Sequence, residues 1–458
     1  MWPSVWTHSG GHHTLSVPMS AIPFQSDDPR GQIAGLMAEA RERTLLLVEG
    51  LSDDDLIRQH DPLMSPILWD LGHIAHFEEL WLTQNLDGPI EFSEMPGIYN
   101  PFEHPRATRA GLALPAIGAM RLRLAEIREK VLDRLNRTDF DNGNPLLAGG
   151  YVYHMVLQHE YQHNETILQT LQLKTGDPYH PVQRRSVPQI TGDDSSFEGM
   201  VEIPGGDYTI GTDDRTSAYD NERPRNAASV APFRIDRRPI TNGDYLEFMS
   251  DDGYRDERHW TAAGWKWLEE TRNAAPKHWT RDGDSWTTRS MDRVSPVDPR
   301  RPVCHVSWHE AAAFARWSGK RLPTETEWEI AASASTPGRS AIAFPWGADL
   351  VTPRDANVDQ LSFETAPVGA YQRNVSPSGC YGMIGDVWEW TSSDFTGYPG
   401  FESFPYKEYS ETFFGPDYKV LRGGSWATRP GAIRNTFRNW DYPIRRQIFS
   451  GFRCASDA

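Results

Sequence analysis

The sequence predicts an α+β protein of two domains, a helical bundle followed by an irregular mixed domain. Three observations lead there. Between about residues 31 and 175, apolar residues recur at helical spacing in four separate stretches. After the Pro-, Gly-, Ser- and Asp-rich stretch TGDPYHPVQRRSVPQITGDDSSFEGM the texture changes to short β-like runs among many glycines, prolines and tryptophans. The 458 residues are also enough for two to three domains that each bury a core.

Taken in order, MWPSVWTHSGGHHTLSVPMS has no periodicity, so residues 1–30 are expected to be a disordered lead, with Met19 as an alternative start. GQIAGLMAEARERTLLLVEGL is the first helix and ends at glycine. SPILWDLGHIAHFEELWLTQNL is the second and opens at Ser65-Pro66, a good helix start. LPAIGAMRLRLAEIREKVLDRL and GGYVYHMVLQHEYQHNETILQTLQL complete an antiparallel four-helix bundle over residues 31–175. A linker over 176–199 follows. In the second domain, 200–456, MVEIPGG, YTIGT, FRIDRRPI and KVLRGGSW read as strands, and HEAAAFARWSG and ETEWEIAAS as helices. Long loops carry the rest, fixed by buried tryptophans and local hydrogen bonds.

Composition removes several classes of function. The net charge of −17, with no lysine or arginine block, argues against nucleic acid as a partner. Cys304, Cys380 and Cys454 are far apart and lack C-x-x-C spacing, which fits a reducing cytoplasm better than a disulfide framework or a thiolate zinc site. No apolar stretch reaches the roughly 18 to 20 residues of a membrane span, and no signal pattern opens the chain. A cytoplasmic monomer is expected.

The chemistry begins with HEYQH, residues 159–163, which spells the zinc-protease string H-E-x-x-H. His159 and His163 lie one turn apart on one helix face, so both imidazoles can reach one ion. A metzincin would continue with Gly at 166 and His at 169, where this chain has Thr166 and Gln169; a gluzincin needs a downstream glutamate, and none occurs between Glu165 and Glu198. A third imidazole is available from WDLGHIAHFEE on another helix, as His73 or His76, and bundle metal sites are assembled this way. Periodicity does not choose between them. His154 lies about 140 degrees round the helix from His159 and is left out. Imidazole suits Fe, Zn or Cu; three neutral imidazoles leave an octahedral divalent ion with open positions on one face and no charge compensation, which suits Fe(2+) oxygen chemistry with an anionic substrate ligand, although the commoner triad there includes a carboxylate.

H-x-x-x-H-x-E (His159, His163, Glu165), WDLGHI, PGGDYTIGT, DNERP, KRLPTETEWE, FPWG, GDVWEWTSS, VLRGGSW and RNWDYPIRRQIFSGFRCA occur in one order. Together they resemble the ergothioneine-biosynthesis sulfoxide synthases, over about residues 31–456. The resemblance implies a DinB-like four-helix bundle joined to a C-type-lectin-like domain of the formylglycine-generating-enzyme type. It implies non-haem Fe(2+) held by His73, His159 and His163, and as partners the small molecules N-α-trimethylhistidine, a cysteine-type thiol and O2. Gln162, Asn439 and Trp440 match positions beside trimethylhistidine, where an aromatic face suits a quaternary ammonium. Spacing to the YSxxFF string assigns the family's catalytic tyrosine to Tyr406, with Tyr409 beside it; Tyr398 is read as a loop aromatic. Arg106, Arg109, Asp441 and Arg445 match the subfamily that takes γ-glutamylcysteine, whose two carboxylates call for guanidinium forks.

Free cysteine, a selenium donor and ovothiol-type chemistry remain alternatives, and a lectin-like binding protein is the reading from another class. Cys454 lacks the partner cysteine that formylglycine-generating enzymes use to bind copper. The acidic loops DNERP and GDVWEW offer oxygens for a structural Ca(2+).

Overall fold

A computed structural model describes residues 28–88, 97–190, 197–333 and 342–458. Most of the expected lead, residues 1–27, lies outside the described residues. The four predicted helices form: α1 (Pro29–Leu47), α3 (Ile67–Glu79), α5 (Ile117–Leu135) and α6 (Tyr151–Gln172). The short α2 (Asp53–Ile57) and α4 (Asn85–Asp87) lie between the first and third of these. Asp28 caps α1, with Pro29 in its first turn, and Pro66 opens α3. Between α3 and α4 the helix widens into a π-helical turn, Leu80–Gln84, a departure from α geometry that is often found at functional sites. α6 packs on α1 and α3, and α3 also packs on α5. The 176–190 part of the expected linker contains no helix or strand.

The second domain is built on small sheets. β1 (Met200–Ile203), β4 (Phe233–Asp236) and β12 (Ala455–Asp457) form one antiparallel sheet in the order β1-β4-β12. β12 carries the fold just past the expected boundary at 456. β2 (Gly206–Ile210) and β3 (Asn226–Val230) form a hairpin. Besides the two helical pieces quoted from the sequence, the described residues hold α7 (Asn242–Ser250) and α8 (Ala262–Thr271), which are short and owe their starts to the N-caps Thr241 and Thr261. The meander β5 (Trp279–Asp282), β6 (Ser285–Ser290) and β7 (Arg293–Pro296) was also unforeseen, since its strands are largely polar. α9 (Trp308–Trp317) and α10 (Glu325–Ser333) match the predicted pieces. The last sheet has the order β10-β9-β8-β11, from β8 (Trp388–Phe395), β9 (Gly415–Arg422), β10 (Asn439–Asp441) and β11 (Ser450–Gly451).

One buried apolar cluster runs from the bundle into this second domain, so the two halves share a core. Polar contacts reinforce the junction. Glu165 of α6 accepts hydrogen bonds from Trp388 Nε1 (2.7 Å), Ser425 Oγ (2.9 Å) and Thr428 Oγ1 (2.8 Å). Burial pushes its carboxyl above the usual range, and the three donors pull it back. Ser425 reaches it from a turn at Gly423 and Gly424, both with left-handed φ, where a Cβ on Gly424 would stand 2.2 Å from Ile433. Thus GDVWEW and RGGSW are recognition strings for the helix that carries the histidine pair. The three cysteines are free, and no described helix is long and apolar enough to cross a membrane.

Candidate metal centre

His73 of α3 meets His159 and His163 of α6 inside the bundle, with one ligand atom from each within 4.8 Å of the others. His73 Nε2 and His159 Nε2 face each other at 3.2 Å. Metal–imidazole bonds of about 2.0–2.1 Å would separate two ligands by about 3.0 Å at a right angle and about 3.4 Å at a tetrahedral angle. The observed distance lies between these, so the pair fits a divalent cation. The other ring nitrogens set the tautomers. His73 Nδ1 donates to the Tyr99 carbonyl (2.9 Å) and His163 Nδ1 to Asp70 Oδ1 (3.1 Å), which leaves each Nε2 lone pair for a metal. Burial holds His73 and His159 well below the usual histidine range, with His163 adding to the effect, so both are neutral ligands at pH 7.

The cradle explains WDLGHI. Gly72 is there because a Cβ would fall 2.0 Å from the Tyr99 ring, and Tyr99 supplies the carbonyl that orients His73. Trp69 stacks on His73 (4.9 Å, 10°), and Phe77 stacks on His159 (3.7 Å, 11°). Asp70 is 1% exposed, and its second oxygen has no protein partner among the described residues; the same holds for buried Trp81 Nε1. Unsatisfied buried polar atoms are what a site completed by ligand or water leaves behind. His76 is buried on α3 but does not join the cluster, nor does His154.

Glu160, the catalytic base of the protease reading, faces the other way. It is 2% exposed and accepts from Arg41 Nε (2.8 Å), Arg128 (3.2 Å) and Thr44 (2.7 Å), while Glu78 pairs with the same two arginines at 2.6 Å each. Burial works against its charge, but Arg41 and Arg128 hold it below the usual carboxylate range. A cleft of about 560 Å³ opens on this side, lined by Arg41, Leu45, Leu124, Arg128 and Leu132, away from the histidines.

The second domain closes the site with aromatic rings. Tyr406, 8% exposed, stacks on Trp81 (5.0 Å, 27°) from the π-helical turn and meets Phe77 edge-on (6.4 Å, 61°), so one ring separates it from His159. Tyr409 meets Tyr406 edge-on (6.3 Å), stacks on Tyr219 (4.2 Å, 18°) and accepts from Gln162 Nε2 (2.9 Å). Burial pushes both phenols well above their usual range, and the neighbouring Tyr219 adds to it. Trp440 sits on edge strand β10, stacked on Phe395 (4.1 Å, 8°) and edge-on to Tyr409 (5.8 Å), with Asn439 next to it.

The charged residues divide into two groups. Arg106 and Arg445 both donate to the Leu63 carbonyl (3.3 and 3.4 Å), and Arg445 pairs with Asp441 at 3.3 Å. Burial and the adjacent Arg445 work against the charge of Arg106, while Asp441 offsets them. Arg109, expected to serve a carboxylate of the thiol donor, has several protein partners. Its guanidinium lies 3.5 Å over the Trp69 ring and donates to the His104 carbonyl (2.8 Å) and Ser65 Oγ (2.6 Å), so it braces the ring behind His73. Its pKa falls to about 10 through burial.

Sequence reasoning missed Trp69, Asp70, Phe77, Trp81 and Tyr99; helical spacing from His73 was the available signal for Asp70 and Phe77. The acidic loops expected to hold Ca(2+) spend their carboxylates inside the protein. Asp220 accepts from Ser410 and Phe404, Glu222 pairs with Arg434, Asp386 accepts from Ala366 and Asn357, and Glu389 pairs with Arg453.

Residues 36–167 match the DinB superfamily and residues 187–458 the Sulfatase-modifying factor enzyme 1-like domain. Fold and site therefore define a protein in which a DinB-type bundle with three clustered histidines is closed by a sulfatase-modifying-factor-type domain. The chain is 42% identical over 437 residues to the hercynine oxygenase of Mycolicibacterium smegmatis, covering 93% of this chain and 99% of the relative. It is 42% identical over 432 residues to that of Mycobacterium tuberculosis, with the same coverage. It belongs to the hercynine oxygenase family. Among solved structures, PvdO from Pseudomonas aeruginosa is similar at 23% identity and a TM-score of 0.41, over 60% of this chain and 100% of that one.

Proposed function

We propose that the protein is an Fe(2+)- and O2-dependent sulfoxide synthase that joins the sulfur of γ-glutamylcysteine to the imidazole of N-α-trimethylhistidine (hercynine). The observation that carries this reading is the triad of His73, His159 and His163, oriented by Tyr99 and Asp70, inside a chain alike over 93% of its length to hercynine oxygenases. Fe(2+) bound there would supply the activation of O2. The balance is one C–H and one S–H consumed with one O2, giving the C–S bond, the sulfoxide oxygen and one water.

The residues divide the remaining work. Trp440, Tyr409, Gln162 and Asn439 receive the trimethylammonium end, where ring faces favour a cation. Arg106 and Arg445 take the carboxylate of the thiol donor, and Asp441 its amino group; an arriving anion relieves the crowding of two neighbouring cations. Tyr406 stays protonated at neutral pH because burial opposes its phenolate, and it delivers a proton to the reacting centre. Arg109 commits Nε and one Nη to His104 and Ser65 and lies over Trp69, which leaves less of its fork for a second carboxylate. That favours free cysteine, with its single carboxylate, as the second reading.

The test is turnover of anaerobically iron-loaded protein with trimethylhistidine and each thiol, followed by O2 consumption and mass spectrometry. O2 should be consumed only with both substrates present, and the sulfoxide should form faster with γ-glutamylcysteine. A faster reaction with free cysteine would select the second reading, and O2 uptake without a C–S product would overturn both.

A further inference from the structure

Tyr406 and Tyr409 stand on a stretch, 404–410, that contains no helix or strand. A loop of that kind is positioned by side chains from elsewhere. Here they come from one segment, Tyr219 to Glu222. Asp220 Oδ2 accepts the Phe404 N–H (3.2 Å) at the start of the stretch, and its Oδ1 accepts Ser410 Oγ at the end. Asn221 Nδ2 also donates to Ser410 Oγ (3.0 Å), and Tyr219 stacks on Tyr409 between the two anchors.

The anchoring segment is itself fixed. Glu222 accepts from Arg434 Nε (2.7 Å), Thr436 Oγ1 (2.7 Å) and the Tyr219 N–H (2.9 Å), and Arg438 donates to the Asn221 carbonyl (2.7 Å). Asp220 is 1% exposed, and the bonds described here all run to the loop. One carboxylate thus ties both ends of the stretch that presents the two tyrosines.

We propose that Asp220 is a positioning residue, a clamp on both ends of the 404–410 loop that aims the Tyr406 phenol and so favours the coupled sulfoxide over simple oxidation of the thiol. This rests on the reading of Tyr406 as proton donor. An amide in place of the carboxylate can keep its oxygen on the Phe404 N–H but then turns an N–H toward Ser410 Oγ, which already accepts from Asn221 and loses its donation to a charged oxygen, so that anchor weakens while the volume is kept.

The experiment compares Asp220→Asn, Ser410→Ala, Tyr406→Phe and the double variant Asp220→Asn/Tyr406→Phe in the iron-loaded full chain. Asp220→Asn should bind iron at wild-type stoichiometry. Its ratio of sulfoxide to oxidised thiol should fall about tenfold to a hundredfold, the scale of a small misplacement of a reacting group. Ser410→Ala should move the ratio the same way by less, and it carries the test if Asp220→Asn does not fold. The double variant should be no worse than Tyr406→Phe, since a clamp acts only through the residue it aims. An unchanged ratio in both Asp220→Asn and Ser410→Ala, or additive losses in the double variant, would overturn the proposal. Hydrogen exchange at residues 404–410 separates this from failure of the functional reading. If the wild type forms no sulfoxide, faster exchange in Asp220→Asn still supports the clamp and unchanged exchange rejects it.

Discussion

Two successive residues of α6 sit in the same bundle and behave in opposite ways. Glu160 is buried among Arg41, Arg128, Thr44 and Glu78, and every charge there is answered by another. His159 is also buried, yet its Nε2 faces His73 Nε2 at 3.2 Å, a pairing that a shared proton can hold and that a bound cation can replace. The difference separates a structural cluster from a candidate functional one in a single helix turn: in the first every charge has a partner from the chain, and beside the second the buried Asp70 Oδ2 has none among the described residues.

The comparison breaks most readily at Glu160. Glu160→Ala leaves Arg41 and Arg128 sharing Glu78 alone, and loss of one partner from a buried ion cluster costs about 3–5 kcal/mol. Chemical denaturation should show that loss, while the folded fraction still binds iron. Iron loss without destabilisation would return Glu160 to the metal site. Gly72→Ala sharpens the other side. The added methyl must displace Tyr99, and with it the carbonyl that orients His73, so iron affinity should fall about 10- to 100-fold, as for other supports of metal ligands. Iron titration of the variant checks this.

The smallest effect concerns Asp386, a half-buried acid that accepts from the neutral Ala366 N–H and Asn357 amide, with the charge of Arg301 a lesser help. Burial raises its carboxyl to about 6. Between about pH 4, where the unfolded chain releases this proton, and about pH 6, where the folded chain does, the folded state holds more protons, so its stability falls as pH rises. Asp386→Asn removes that term and should flatten the slope by on the order of 1 kcal/mol across the window, read as unfolding free energy at several pH values. An unchanged slope would show that the surroundings of Asp386 hold its carboxylate as fully as the arginines hold Glu160.

The bundle was legible because its apolar spacing is regular, and the histidine pair because i and i+4 share a face. The choice of His73 over His76 was not legible from period, since both are buried on α3; the Gly72–Tyr99 contact and the Tyr99 carbonyl decide it in three dimensions. The protease string failed for a reason visible only in the fold, that Glu160 lies on the helix flank turned toward α1 and α5. Arg109 illustrates the limit for charged residues. A guanidinium at a matched position reads as a carboxylate fork, and whether it is free or stacked on Trp69 depends on a neighbour forty residues away. The meander β5–β7 escaped because polar strands carry no core-facing alternation.

The most direct measurement is the iron content of purified, anaerobically loaded variants. One iron per chain is expected in the wild type and in Glu160→Gln and His76→Ala, with iron lost in His73→Ala, His159→Ala and His163→Ala alike. Iron retained in any of those three, or lost in Glu160→Gln, would contradict the assignment of the centre to His73, His159 and His163.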